Sequence, residues 1–410
     1  MLARYLFGII SCLLLSGAAY SADQSKHHAM SKMWQTSLAS KQISTSSVFD
    51  EQGTLWLAQV RDGHVLVSHS EDQGKTFSSA VKVNSQPEAV SASGETRPKI
   101  LLDKEGSIYI SYTQSLETPY AGNIRFSRSV DGGKSFSAPV TVNDNHDSIT
   151  HRFEAMGINK RGQIYLAWLD RRDAMAAKDK GEKYTGIAVY YAMSDNGGKS
   201  FHANIKVADH TCECCRIAIA IDKMDTPVIV WRHIFGKNVR DHALARLGGT
   251  PQVQRVTFDN WEVDACPHHG PDLSISGDTY HLAWFNHTPE RNGLFYAYSV
   301  DGGKTFSSPI NVGNSAHQAS HAAVLSNGNN VYLAWKEFDG EVSEVYAMRS
   351  HDSGKTWGAV FKVADTRDAS DHPMLVAYHE QVYLSWSTLL EGYRLIALPQ
   401  EQTMLQKKMP

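Results

Sequence analysis

The sequence predicts an all-β chain built by repeating one short-stranded unit. An eight-residue turn pattern occurs five times, and a strand pattern ending in an aromatic or polar residue occurs seven times. A composition of 42% hydrophobic and 20% charged residues over 410 positions has the apolar content to build a core, which excludes a disordered chain. The 40 Lys+Arg and 43 Asp+Glu are interspersed, so the chain offers no basic field for nucleic-acid phosphates.

Met1 to Arg4 is a short basic start, Tyr5 to Leu15 an apolar run, and Ala19-Tyr20-Ser21 the small-residue site that a signal peptidase reads. Residues 1–21 are therefore expected to be a signal peptide and 22–410 one mature domain, periplasmic or secreted. The apolar run is shorter than the roughly 18 residues a membrane span needs, so no transmembrane segment is expected after cleavage. Cys12 leaves with the signal. Four Cys then remain in an oxidising compartment.

The turn pattern reads S-x-D/N-x-G-K-S/T-F/W at Ser70 to Phe77, Ser129 to Phe136, Ser194 to Phe201, Ser299 to Phe306 and Ser350 to Trp357. Asp or Asn caps such a turn through its own backbone, Gly accepts positive φ, and the aromatic packs beneath. These copies resemble the Asp boxes, or bacterial neuraminidase repeats, of the sialidase superfamily, and the resemblance implies a β-propeller.

The strand repeat sets the number of blades. Strands end at Gln59, Tyr112, Trp168, Trp231, Trp284, Trp335 and Trp386, spaced by 53, 56, 63, 53, 51 and 51 residues. That spacing suits a four-stranded blade with its loops, so seven blades are expected, with six, the number usual for sialidases, as the alternative. The fourth blade has no turn pattern of its own near Leu244 to Val256. The last blade is one strand short after Tyr393 to Leu398, and Ser31 to Thr36 is expected to complete it and close the ring.

In a propeller the loops leading into the inner strands share one face, opposite the Asp-box turns. About 15 positions before each strand-ending residue stand Ser44, Arg97, Arg152, Arg216, His269, Ser320 and Asp371, with His321 and His372 one step on. The loops after the second strands add Asp170 to Asp173, Arg232 and His233, Asn286 and His287, and Glu337 and Asp339. Chemistry is expected at this face.

Two clusters dominate it: His210-Thr211-Cys212-Glu213-Cys214-Cys215-Arg216 and Asp264-Ala265-Cys266-Pro267-His268-His269. Cys212, Cys214, Cys215 and Cys266 with His268 and His269 are the candidate ligands of a transition metal, copper or zinc, since soft thiolates with imidazoles suit those ions. His317, His321 and His372 add imidazoles on the same side. The competing reading of the four Cys is one or two disulfides, although a bridge between the adjacent Cys214 and Cys215 would be strained.

Arg97, Arg152 and Arg216 recur in phase and are the candidate anion-binding residues, since planar guanidinium forks bind carboxylates. Sialidases hold the substrate carboxylate with an arginine triad, so the resemblance implies an anionic glycan ligand and, were the chain an enzyme, an exo-sialidase-like glycoside hydrolase. The sequence departs from that family where Arg97-Pro98-Lys99 replaces its R-I-P signature and follows the first turn copy instead of preceding it. For the Tyr–Glu pair and acid that the family needs, only Tyr378 with Glu380, and Glu154, Asp170 or Asp173, offer themselves.

Overall fold

The computed structural model describes residues 43–400. The expected signal peptide and the expected closing segment Ser31 to Thr36 lie outside the described residues.

The strands form antiparallel meanders that follow one another along the chain. Their first strands are Ser46–Phe49, Lys99–Leu102, His151–Ile158, Ala218–Ile221, Asp272–Ser276, Ser320–Asn327 and Met374–Tyr378. Each of these touches the first strand of the next meander, and Met374–Tyr378 returns to touch Ser46–Phe49, so the first strands form a closed ring. A single pairing, Thr211 with His233, joins the third and fourth meanders into one eight-stranded sheet. Among the described residues the last sheet has three strands and ends at Gly392–Ala397.

Second strands such as Ile164–Asp170 are buried along their whole length because both faces meet a neighbouring sheet, which is why they read as near-continuous apolar runs. Trp168, Trp231, Trp335 and Trp386, expected to end these strands, are completely buried within them, and the strands run on to Asp170, Phe235, Phe338 and Thr388. The core is accordingly divided into layers between adjacent sheets. Tyr109, Ile124 and Phe126 of the second meander pack on Ile164, Leu166 and Trp168 of the third, and Trp335 and Leu333 face Leu294 and Tyr296. Between the last and first meanders, Phe49 meets Tyr378 and Tyr383 with ring centroids 5.5 and 5.3 Å apart.

The repeated turns share one hydrogen-bond scheme. Gly74 N–H donates to Ser70 Oγ at 2.8 Å, Thr76 N–H to Asp72 Oδ1 at 2.9 Å, and Thr76 Oγ1–H to Asp72 Oδ2 at 2.6 Å. The turns at Asp131, Asp301 and Asp352 repeat it, and Asn196 serves in the third.

One element was not expected from the sequence. Arg172–Asp179 forms a helix where the reading placed a loop. Three alanines in eight residues favour it, and Ala177 is its only buried side chain among the described residues.

Candidate functional site

A cavity of about 710 Å³ opens at the ring face that carries the loops leading into the first strands. Glu95, Arg152, Cys214, Cys266, His268, His269, His321 and His372 line it, with Tyr120, Arg171 and Glu213 among the other wall residues. Residues far apart in sequence meet here because successive meanders deliver loops to the same mouth.

Arg97, Arg152 and Arg216 occupy matching places but take different partners. Arg97 donates to Thr45 O at 3.0 Å and to Asp371 Oδ1 and His372 O, both at 3.1 Å, bracing the junction between the last and first meanders. Arg216 grips Glu95: its backbone N–H donates to Oε2 at 3.1 Å and Nη1 to Oε1 at 2.7 Å. Arg152 is the least engaged. Its Nη2 reaches Ser91 Oγ only at 3.5 Å, its Nε has no hydrogen-bond partner among the described residues, and it lies 5.1 Å from the Phe153 ring.

Glu95 was not singled out from the sequence, yet it is the hub of the cavity floor. It is 6% exposed. Burial opposes its ionisation, but the Arg216 guanidinium bonded to it outweighs that and holds its carboxyl well below the usual carboxylate range. His321 Nδ1 and His372 Nδ1 lie 3.5 and 3.6 Å from Glu95 Oε1. The imidazoles form a column: His372 stacks on His321 with centroids 3.4 Å apart, and His321 on His269 at 4.4 Å. Burial pushes all three below the ordinary histidine value, His269 to about 3. His321 reaches its place through a shift of register in Ser320–Asn327, with a positive φ of 53°.

The thiol cluster lies at the end of the third meander and the approach to the fourth. Cys212, Cys214 and Cys215 are all buried and unbridged, with Sγ–Sγ separations of 3.7 Å for Cys212–Cys214 and 3.9 Å for the other two pairs. Arg240 Nη1 donates to Cys212 Sγ at 3.1 Å. Hydrogen bonds from the Cys214 and Cys215 thiols, together with the charges of Arg232 and Arg240, pull Cys212 well below the ordinary thiol value against the opposing effect of burial. The hydrogen bonds to Cys212 push Cys214 and Cys215 upward. Cys212 Sγ is thus the acceptor on which two thiols and a guanidinium converge.

Cys266 is free and exposed at the rim, close enough for contact with Cys214 to lower its own thiol value. His268 is exposed beside it, and His269 turns inward under Arg232, which donates to its carbonyl at 3.0 Å. Arg232 and Arg240, which set the charge around the sulfurs, are second- and third-strand residues of the fourth meander. Arg232 is among the face residues expected from the sequence, whereas Arg240, in the mixed polar strand Val239–Arg246, gives no sequence signal.

The other residues weighed from the sequence sit elsewhere. Asp170 is buried against Arg172 at 2.8 Å, and Asp173 accepts from Tyr190 Oη. Glu154 accepts from Thr113 Oγ1 at 2.6 Å deep in the channel. Tyr378 ends its strand against Phe49 and Gly53, at the hairpin end of the sheet. His317 lies 3.8 Å from Glu337.

No protein-family model matches the chain, and no curated protein matches it in sequence. Among solved structures, it is similar to a polysaccharide lyase described as a PL25 ulvan lyase, with 11% identity, a TM-score of 0.52, and coverage of 87% of this chain and 94% of that one. Polysaccharide lyase Uly1 is similar at 10% identity and a TM-score of 0.51, over 88% and 89% of the two chains. A Hadza microbial sialidase aligns at 14% identity and a TM-score of 0.49, over 87% of this chain and 74% of the other. The closed ring of antiparallel sheets is a β-propeller, and the two lyases share that fold with this chain at low identity.

Proposed function

We propose that the protein is a seven-bladed, extracytoplasmic propeller in which Cys212, Cys214 and Cys215 hold a soft transition metal, copper(I) ahead of zinc. Cys266, His268 and His269 at the cavity wall complete the ligand supply. The blade number rests on the closed ring of first strands, and the compartment on the signal-like start of the sequence.

The spacing of the three sulfurs carries the metal reading. Atoms 3.7, 3.9 and 3.9 Å apart have a centre about 2.2 Å from each, and thiolate sulfur binds zinc at about 2.3 Å. Charge favours copper(I). Three thiolates with a monovalent ion leave two negative charges, which the guanidinium groups of Arg232 and Arg240 balance; a divalent ion would leave an excess of positive charge. In anaerobically prepared protein, competition with a copper(I) chelator should give one tightly held ion per chain, lost on Cys212→Ser. Two intact disulfides and no retained metal would overturn the reading.

Arg152 supports a second reading, an anionic glycan ligand in the same cavity. It reaches that cavity without a strong partner, and Arg171 stands beside it. The related ulvan lyase has been captured with the sulfated sugar sequence -[GlcA(1-4)Rha3S]-. Binding of an acidic oligosaccharide, or hydrolysis of a fluorogenic sialoside, should fall at least tenfold in Arg152→Ala. An unchanged titration would remove this reading and leave the metal one intact.

A further inference from the structure

We propose that Glu95, His321 and His372 form a second metal site, for a borderline divalent ion such as copper(II) or zinc, on the floor of the cavity whose wall carries Cys214. The donor set is one carboxylate and two imidazoles, which differs in kind from the thiol cluster and suits a harder ion.

Distance is the first argument. One oxygen and two ring nitrogens lie within 4.8 Å of one another, and the nitrogens stand 3.5 and 3.6 Å from Glu95 Oε1. Those separations are longer than a hydrogen bond should be, but they suit neighbouring donors around one ion, since ligands about 2.1 Å from a tetrahedral centre sit about 3.4 Å apart.

Unmet bonding is the second. His321 Nδ1 and His372 Nδ1 are buried and have no hydrogen-bond partner among the described residues, and both face the same carboxylate oxygen. A buried imidazole nitrogen without a partner is costly, and an ion would satisfy both at once.

Local backbone is the third. Gly94 lies directly against the His372 ring: a Cβ at this position would collide with Nδ1. Because Gly94 does not have positive φ, its lack of a side chain serves space rather than conformation. His321 itself is held in the left-handed region, a strain that persists where surrounding structure imposes it.

Charge is compatible with an ion. Arg216 already lies on Glu95, but its charge is shared with half-buried Asp272, whose Oδ2 accepts from Val324 N–H at 2.8 Å.

The test separates this site from the thiol cluster. Full-chain protein whose thiols are first capped with silver(I) is titrated with cobalt(II) and, separately, with copper(II). The expected result is one further ion per chain, without sulfur-to-metal charge transfer, and with coupling to two imidazole nitrogens in the copper(II) resonance spectrum. Gly94→Ala and Glu95→Gln should each weaken binding at least tenfold while leaving silver(I) uptake unchanged. The spectrum of the unsubstituted chain serves even where a variant fails to fold. No ion bound after silver capping, a spectrum without nitrogen coupling, or equal affinity in a folded Gly94→Ala protein would overturn the proposal.

Discussion

Arg240 governs the chemistry of the thiol cluster more directly than any other non-cysteine side chain. It donates to Cys212 Sγ from a buried position, and its charge helps keep that sulfur ionised. A charge-assisted hydrogen bond is worth about 1.5–3 kcal/mol, so Arg240→Met should raise the Cys212 thiol value and weaken metal binding roughly tenfold or more. Thiol alkylation rates against pH, together with chelator competition, read both effects. If neither moves, the guanidinium only fills space. Glu95 shows the limit of reading such a site from sequence. Its neighbours Ser93-Gly94-Glu95-Thr96 lie in a loop with no periodicity, and its partners come from positions 216, 321 and 372, so only the closed ring brings them together. The cysteine triplet was legible because three of the chain's 5 Cys stand within four residues.

The elements were legible wherever burial imposes a pattern. Strands such as Val-Tyr-Leu-Ala-Trp are buried on both faces, and the last strand, expected at Tyr393 to Leu398, spans Gly392–Ala397. The helix Arg172–Asp179 was not legible because a short surface helix with one buried side chain leaves almost no apolar stripe. The repeated turns carry an acid-stability prediction. Hydrogen bonds from the side chain and backbone of Thr76 lower Asp72 to about 2, and those from Ser135 lower Asp131 likewise. A carboxyl with a depressed folded value stabilises above its unfolded value near 3.8 and loses that contribution as pH falls toward about 2. Urea midpoints should therefore drop between about pH 4 and pH 2. Asp131→Asn, which copies the natural Asn196 turn, should flatten part of that drop while leaving the pH 7 midpoint little changed; an identical acid limb would contradict this.

At the scale of the whole molecule, adjacent sheets are held together by layers of large side chains, so stability should be sensitive to any one of them. Trp335 is fully buried, and its Nε1–H donates to Glu337 at 2.8 Å. Trp335→Ala should cost about 3–5 kcal/mol, read from urea unfolding; a loss below about 1 kcal/mol would mean that the layer repacks. The ring also explains why the chemistry gathers where it does: loops of six meanders line one cavity, which holds the Glu95, His321 and His372 donors and meets the thiol cluster at Cys214. Three sulfurs spaced to share one ion should hold a metal in the native protein. Thiol counting on anaerobically prepared mature protein, before and after metal removal and combined with elemental analysis, tests it most directly. One thiol-held copper ion per chain and four titratable thiols in the unfolded, metal-stripped protein are expected; no metal and no free thiol would contradict a metal role for the sulfurs.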